Sequence, residues 1–148
     1  MDELALHTAL AWSLLISMLA ACVLLLSGVV APYGRYAEIR VRGMGWGMPL
    51  NAKLAWMVQE LPALLVPLAL WAANPGSEAS QSPANRVLLG MFCAHYFNRS
   101  IVYPLRLRGG KPTPFGVFFL SFVFCLANGY LQGRLLTHFQ TYPSAWLY

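Results

Sequence analysis

Two side chains that can give or take a proton stand in apolar surroundings where they could act on a carbonyl compound. Glu60 lies in the stretch WMVQELPALLVP, residues 56–67, and Tyr96 lies in AHYFNR, residues 94–99. A carboxylic acid in such a place donates a hydrogen bond if it is protonated, and it needs a partner such as Arg99 if it is ionised. A tyrosine hydroxyl beside it could polarise a carbonyl and stabilise negative charge that develops on the oxygen.

Helical spacing places polar and aromatic side chains on shared faces. Trp56 precedes Gln59 by three residues and Glu60 by four, so the three share one face of a helix. Two further faces follow the same periodicity: Phe92, Tyr96, Arg99 and Tyr103 on one, Asn128 and Gln132 on the other. A bundle that brings these faces together would form an aromatic-walled pocket with a polar floor, a composition typical of small-molecule sites.

The same residues also fit a purely structural interpretation. Glu60 paired with Arg99, with amides bonding between helices, would hold a helical bundle together inside a membrane. Spacing along the sequence does not decide between this packing network and a ligand site, so both interpretations remain open here.

The composition predicts an integral membrane protein with an all-α fold. Of the 148 residues, 58% are hydrophobic and 10% are charged, whereas soluble domains carry roughly a quarter charged residues. Four apolar segments, each long enough to cross a bilayer as a helix of about 20 residues, cover 10–31, 54–73, 87–105 and 115–136. We therefore expect a bundle of four transmembrane helices.

The basic residues alternate between loops, which predicts the orientation of the spans. The first loop holds Arg35, Arg40, Arg42 and Lys53, and the third holds Arg106, Arg108 and Lys111. The N-terminal residues before the first span are acidic, and the tail after the fourth span has no Lys or Arg. Positive loops face the cytosol, so both termini are expected on the opposite side. The net charge of +5 forms no stripe interleaved with exposed aromatics, so a nucleic-acid partner is not indicated.

The three cysteines do not indicate a metal site or a disulfide framework. Cys22, Cys93 and Cys125 are odd in number, form no CxxC motif and all fall in apolar segments. They are expected to act as small apolar side chains that pack between helices.

Several stretches together resemble the steroid 5α-reductase family, most closely its type 1 members. They are PYGRY, AWMVQELPALLVP, LLGMFCAHYFNRSIVYPLRLRGGKPTP and FCLANGYLQGR, and they occur in the same order as in the family. The resemblance covers residues 32–146. It implies a seven-span enzyme of the endoplasmic reticulum membrane, and the alternation of basic loops then predicts a lumenal N-terminus. Such an enzyme reduces the 4,5 double bond of a 3-oxo-4-ene steroid with NADPH.

The resemblance also implies roles for particular residues. Those expected to hold the steroid C3 carbonyl are Glu60 and Tyr96. Those expected to line the steroid pocket are Trp56, Gln59 and Phe124, and those expected near the dinucleotide are Arg108 and Lys111. Family members continue into a second half that supplies most of the NADPH site, and its motifs are not found in this sequence.

Residues 1–148 are therefore expected to form the N-terminal four-span part of the fold and to be inactive alone. The competing interpretation is a non-catalytic four-span membrane protein that binds a sterol or associates with a full-length reductase.

Overall fold

The computed structural model describes residues 2–30, 34 and 46–148 and is mostly helical. The α-helices are α1 (Glu3–Leu26), α2 (Ala52–Ala73), α3 (Glu78–Gln81), α4 (Pro83–Phe97), α5 (Tyr103–Arg106) and α6 (Phe115–Arg134). Two π-helical turns, Asn98–Val102 and Leu135–Phe139, a 3-10 turn, Ser144–Leu147, and two short strands, β1 (Pro49–Leu50) and β2 (Thr113–Pro114), complete the described part. The basic residues Arg35, Arg40 and Arg42 of the first predicted loop lie outside the described residues.

Three helices in the described part of the chain are long and apolar enough to cross a membrane: Glu3–Leu26, Ala52–Ala73 and Phe115–Phe139. They correspond to the first, second and fourth predicted segments. The third predicted segment is helical from Pro83 to Arg106, through α4, a π turn and α5. It does not count among the three because His95, Asn98 and Arg99 make its middle much less apolar.

Helix α1 begins and ends earlier than the sequence predicts. The prediction places the span at 10–31, whereas the helix starts at Glu3 and is followed by a turn with Gly28 at φ 91°. The N-terminal extension is held by contacts with α6, because Arg134 donates two hydrogen bonds to the Glu3 carboxylate. His7 Nε2 also lies 3.0 Å from the Leu131 carbonyl oxygen. No residue of α1 is buried within the described structure, so its apolar surface remains available to lipid.

Helices α2 and α6 approach each other through two glycines. Gly129 and Gly133 are four residues apart on α6, and a methyl group at Gly129 would lie 2.9 Å from the Pro62 carbonyl oxygen of α2. At Gly133 the added methyl would lie 2.9 Å from the Pro67 Cα atom. Small residues at this spacing allow two helices in a membrane to pack closely. The prolines thus sit within α2 at the contact, where the partner helix covers them.

A π turn at Asn98–Val102 lies between Tyr96 and Tyr103 in the third segment. Before it, Tyr96 is buried and its hydroxyl meets Asn128 of α6. Beyond its start, Arg99 and Tyr103 both contact the Trp56 ring of α2, at 5.1 Å each. A π turn adds a residue to the helical repeat and rotates the residues after it about the helix axis. One helical run can therefore contact two different neighbours.

The helix ends meet in two groups. At one end β1 pairs antiparallel with β2, which joins the start of α2 to the start of α6. At the other end the first turn of α4 bonds to the chain after α6. Asn85 Nδ2 donates to the carbonyl oxygens of Leu136 and Gln140, and its Oδ1 accepts from the Tyr142 N–H. Helices α2, α4 and α6 thus run up and down beside one another.

Candidate functional site

A cavity of about 480 Å³ lies between α2, α4 and α6. Its lining residues come from four segments: Glu60, His95, Tyr96, Arg99, Leu120, Ser121, Phe124 and Cys125. Two of them, His95 and Leu120, are exposed, so the cavity is open to the surface between α4 and α6. Of the predicted site residues, Glu60, Tyr96 and Phe124 are therefore brought together around one space.

The buried carboxylate of Glu60 is held by Arg99. Arg99 Nη2 lies 2.5 Å from Oε1 and its Nε lies 3.1 Å from Oε2, so the guanidinium group binds both oxygens. The Cys125 thiol adds a weaker contact, with Sγ 3.7 Å from Oε2. The packing network that the sequence left open is thus present, and it forms part of the cavity wall.

Tyr96 presents its hydroxyl toward α6. The side chain is 8% exposed and belongs to an apolar cluster with Ala63, Leu64 and Cys125. Its hydroxyl oxygen accepts a hydrogen bond of 2.8 Å from Asn128 Nδ2. The phenol therefore keeps its own hydrogen to donate to another group.

Trp56 and Gln59 lie beside this cavity but do not line it. The Trp56 ring covers the guanidinium group of Arg99 at 5.1 Å, an arrangement that favours the cation. The Trp56 Nε1 and Gln59 Oε1 atoms are both buried and have no hydrogen-bond partner within the described structure. The structure thus places these two predicted pocket residues next to the Glu60–Arg99 pair, with unused polar atoms.

The two basic residues predicted near a dinucleotide are in different positions. Arg108 lines a second cavity of about 460 Å³ together with Lys53, Leu105, Arg106 and Leu107. Lys111 is exposed and is not part of that lining. Three cations around one cavity suit an anionic group such as a phosphate, so the charge around Arg108 is compatible with the predicted role.

Comparison with known proteins gives a consistent set of relatives, although no protein-family model matches the chain. This chain is 46% identical over 128 residues to 3-oxo-5-alpha-steroid 4-dehydrogenase 1 of Bos taurus. The aligned residues make up 85% of this chain and 48% of the relative. The Mus musculus protein of the same name is 40% identical over 149 residues, 99% of this chain and 55% of the relative. The chain belongs to the steroid 5α-reductase family.

Type 2 relatives match as well. The 3-oxo-5-alpha-steroid 4-dehydrogenase 2 of Sus scrofa is 44% identical over 114 residues, 77% of this chain and 42% of the relative. The names of these relatives describe oxidoreductases, so membership of the steroid 5α-reductase family makes this chain part of an enzyme family. The chain spans about half the length of the curated relatives it matches.

The structure of this steroid 5α-reductase relative adds residues that sequence reasoning does not assign to the site. The helical pattern places Arg99 on a possible pocket face but the resemblance gives it no role, and Cys125 is expected only as a small apolar side chain; both line the cavity. Asn128 stands out in the sequence for its spacing but has no role there. Its polarity in an apolar segment is the available signal, since such residues usually face a bundle interior.

Proposed function

We propose that this chain forms the ketone-binding part of an NADPH-dependent steroid 5α-reductase, which reduces the 4,5 double bond of a 3-oxo-4-ene steroid. The observation that carries the proposal is the cavity itself, where a buried tyrosine hydroxyl with a hydrogen to donate lies beside a bound carboxylate. Its remaining lining combines polar side chains with Leu120, Phe124 and Cys125, and small-molecule sites likewise pair apolar walls with a few polar groups. The names of the relatives support the substrate class.

Tyr96 is the hydrogen-bond donor to the steroid C3 oxygen in this arrangement. Reduction at C5 places negative charge on that oxygen, and a donor aimed at it lowers the barrier. A carboxylate whose two oxygens accept from Arg99 has no hydrogen to donate. Glu60 therefore joins Tyr96 in holding the ketone only in its protonated form, and as a carboxylate it holds Arg99 in the cavity wall.

Phe124, Trp56 and Gln59 serve as the steroid-contacting residues beyond the ketone. Phe124 lies on the cavity wall. The unpaired Trp56 Nε1 and Gln59 Oε1 support a ligand-facing role, because buried polar atoms rarely remain without a partner. Trp56 adjoins the cavity through Arg99, whose guanidinium group its ring covers, and Gln59 precedes the cavity residue Glu60 in α2.

NADPH, when bound, supplies the hydride that adds to the steroid. The cations of Lys53, Arg106 and Arg108 fit its phosphate groups by charge, and Lys111 adds a further basic side chain on the same loop as Arg108. The relatives extend over about twice the length of this chain. We therefore propose that most of the dinucleotide site is formed by residues outside these 148, and we expect no steroid turnover by this chain alone in NADPH-supplied microsomes.

The placement in the membrane is part of the same proposal. Four spans, formed by α1, α2, the run from Pro83 to Arg106 and α6, agree with the way the helix ends meet. The basic residues Lys53, Arg106 and Arg108 all lie at the β1–β2 end, which the positive-inside rule assigns to the cytosol. The N-terminus is then lumenal in the endoplasmic reticulum membrane.

Comparison of Glu60→Gln with Tyr96→Phe tests the ketone site. Steroid binding by the chain in lipid nanodiscs should fall about tenfold for Tyr96→Phe, the loss of one strong hydrogen bond to the ligand. The fold should remain intact, as judged by the thermal midpoint. If both variants only reduce the folded fraction, and the folded protein keeps wild-type affinity for the steroid, the proposal is contradicted.

That outcome would favour the second candidate, a non-catalytic membrane protein that binds a sterol elsewhere or associates with a full-length reductase. The Glu60–Arg99 pair is the observation that favours it, because such a pair can serve packing alone.

A further inference from the structure

The hydroxyl of Tyr96 is oriented by a neighbour on another helix. Asn128 Nδ2 donates to the Tyr96 oxygen at 2.8 Å. An amide nitrogen of asparagine only donates, so this contact occupies a lone pair of the phenol oxygen and leaves the phenol hydrogen directed elsewhere. Had the amide presented its oxygen instead, the phenol would donate to it and would have nothing to offer a ligand.

The surroundings of Tyr96 restrict where that hydrogen can point. The ring is fixed on one side by Phe92 at 4.8 Å and on another by His95 at 5.1 Å, and it is packed against Ala63 and Cys125. The hydrogen bond that the Tyr96 hydroxyl makes in the described structure is the one from Asn128, and it makes none to the Glu60 carboxylate. The cavity that Tyr96 lines is therefore the place where an acceptor can meet the phenol hydrogen.

We propose that Asn128 is a positioning residue that makes Tyr96 a hydrogen-bond donor toward the cavity, where a ligand ketone accepts the bond. The inference rests on the proposed function, since it names the device that prepares the ketone donor. It adds a dependence that the spacing of residues in the sequence does not reveal. The ability of Tyr96 to donate to the ligand depends on an amide from α6. The two helices must then be in register for the ketone to be polarised.

The decisive variant is Asn128→Asp, which replaces the donating amide by an accepting carboxylate of the same shape. The Tyr96 hydroxyl should then donate to the introduced carboxylate in place of the ligand. The probe is a 3-oxo-4-ene steroid labelled with ¹³C at C3, bound to the chain in lipid nanodiscs. Isotope-edited infrared difference spectroscopy reports the carbonyl stretch, which moves to lower frequency as the hydrogen bond to its oxygen strengthens.

The expected results form a set. The wild-type chain lowers the carbonyl frequency relative to the steroid in lipid alone, and Tyr96→Phe and Asn128→Asp both lose this shift. Steroid affinity falls about tenfold in each, as expected for one hydrogen bond. Asn128→Ala, which frees the phenol without redirecting it, keeps part of the shift. Asn98→Asp is the matched control, because Asn98 is exposed on the same helical run as Tyr96, and it should keep the full shift.

The outcomes separate the two proposals. If Tyr96→Phe loses the shift while Asn128→Asp keeps all of it, Asn128 does not orient the phenol and the inference is overturned, with the ketone site intact. If the wild-type chain shows no shift, both proposals fail. If Asn128→Asp does not fold, the ring C–O stretch of ¹³C-labelled tyrosine replaces it as the readout. The steroid-free wild-type minus Tyr96→Phe spectrum must then show a phenol that accepts a hydrogen bond, and a purely donating phenol overturns the inference.

Discussion

Arg99 binds both carboxylate oxygens of Glu60, at 2.5 Å and 3.1 Å, while the Trp56 ring covers its guanidinium group. The carboxylate belongs to α2 and the guanidinium to the π turn after α4, so the pair joins two helices. It also closes one wall of the cavity that Tyr96 and Phe124 line. On the proposed function, this pair therefore serves both stability and ligand binding, and variants can separate the two.

Arg99→Met should destabilise the chain because it leaves the Glu60 carboxylate buried without its partner. Breaking a buried pair costs about 3–5 kcal/mol, and because the Arg99 side chain is 38% exposed we expect about 1–3 kcal/mol here. The double variant Arg99→Met with Glu60→Gln should recover most of the loss. Thermal midpoints in lipid nanodiscs measure the stability of both variants. A double variant as unstable as Arg99→Met would show that the unpaired carboxylate is not the cause of the loss.

Gly133→Ala should weaken the contact between α2 and α6. The new methyl would lie 2.9 Å from Pro67 Cα and 2.8 Å from Leu70 Cδ1, so the helices must separate, at a cost of about 1–3 kcal/mol. Gly90→Ala is the matched control, because nothing lies within 4 Å of a methyl there. It should raise stability by roughly 0.5–1 kcal/mol through helix propensity. Equal midpoints for the two variants would show that α2 and α6 do not pack closely.

Asn85→Ala should loosen the end of the bundle where α4 begins. Asn85 is 1% exposed and makes three hydrogen bonds to the chain at Leu136, Gln140 and Tyr142. At roughly 0.5–1.5 kcal/mol each, their loss should cost about 1.5–4.5 kcal/mol. Limited proteolysis of Asn85→Ala should then cut the chain after α6. The control variant Asn98→Ala should stay resistant at this place. Resistance of Asn85→Ala to the protease would contradict a fastening role.

Gln59→Met should separate folding from ligand binding. The Gln59 Oε1 atom is buried without a partner in the described structure, so an apolar side chain of similar size should leave the stability of the free chain unchanged or raise it by up to about 1 kcal/mol. If the amide serves the steroid, affinity should nevertheless fall by about threefold to tenfold. A drop in stability with unchanged affinity would instead assign Gln59 to packing.

The helical character of the chain could be predicted from the sequence because long apolar runs admit few other structures in a bilayer. The proximity of Glu60 and Tyr96 could also be predicted, through their polarity in apolar surroundings. The partners were harder to infer. Periodicity along one helix does not say which side chain of another helix it meets, so the Asn128–Tyr96 bond had no signal beyond the polarity of Asn128.

Other differences arise from local geometry. The pattern of four aligned residues on the third segment assumes a continuous α-helix, whereas a π turn begins at Asn98. Tyr96 and Arg99 still line one cavity, and Arg99 and Tyr103 contact the Trp56 ring of α2. The predicted start of α1 is too late because Glu3 and His7 are polar, and polarity normally marks the end of a span. Here α6 supplies their partners, Arg134 and the Leu131 carbonyl, so the helix extends through them.

The position of Glu60 along α2 also determines which steroid concentration, in the buffer or in the lipid, governs binding. Glu60 lies eight residues after Ala52, the first residue of the helix, about 12 Å along the axis at 1.5 Å per residue. With α2 crossing a hydrocarbon layer of about 30 Å, this is close to mid-depth. On the proposed function, a steroid would reach the cavity after partitioning into the bilayer. The total steroid concentration at half-saturation, expressed per litre of buffer, should vary with the amount of lipid present. The mole fraction of steroid in the lipid at half-saturation should stay constant.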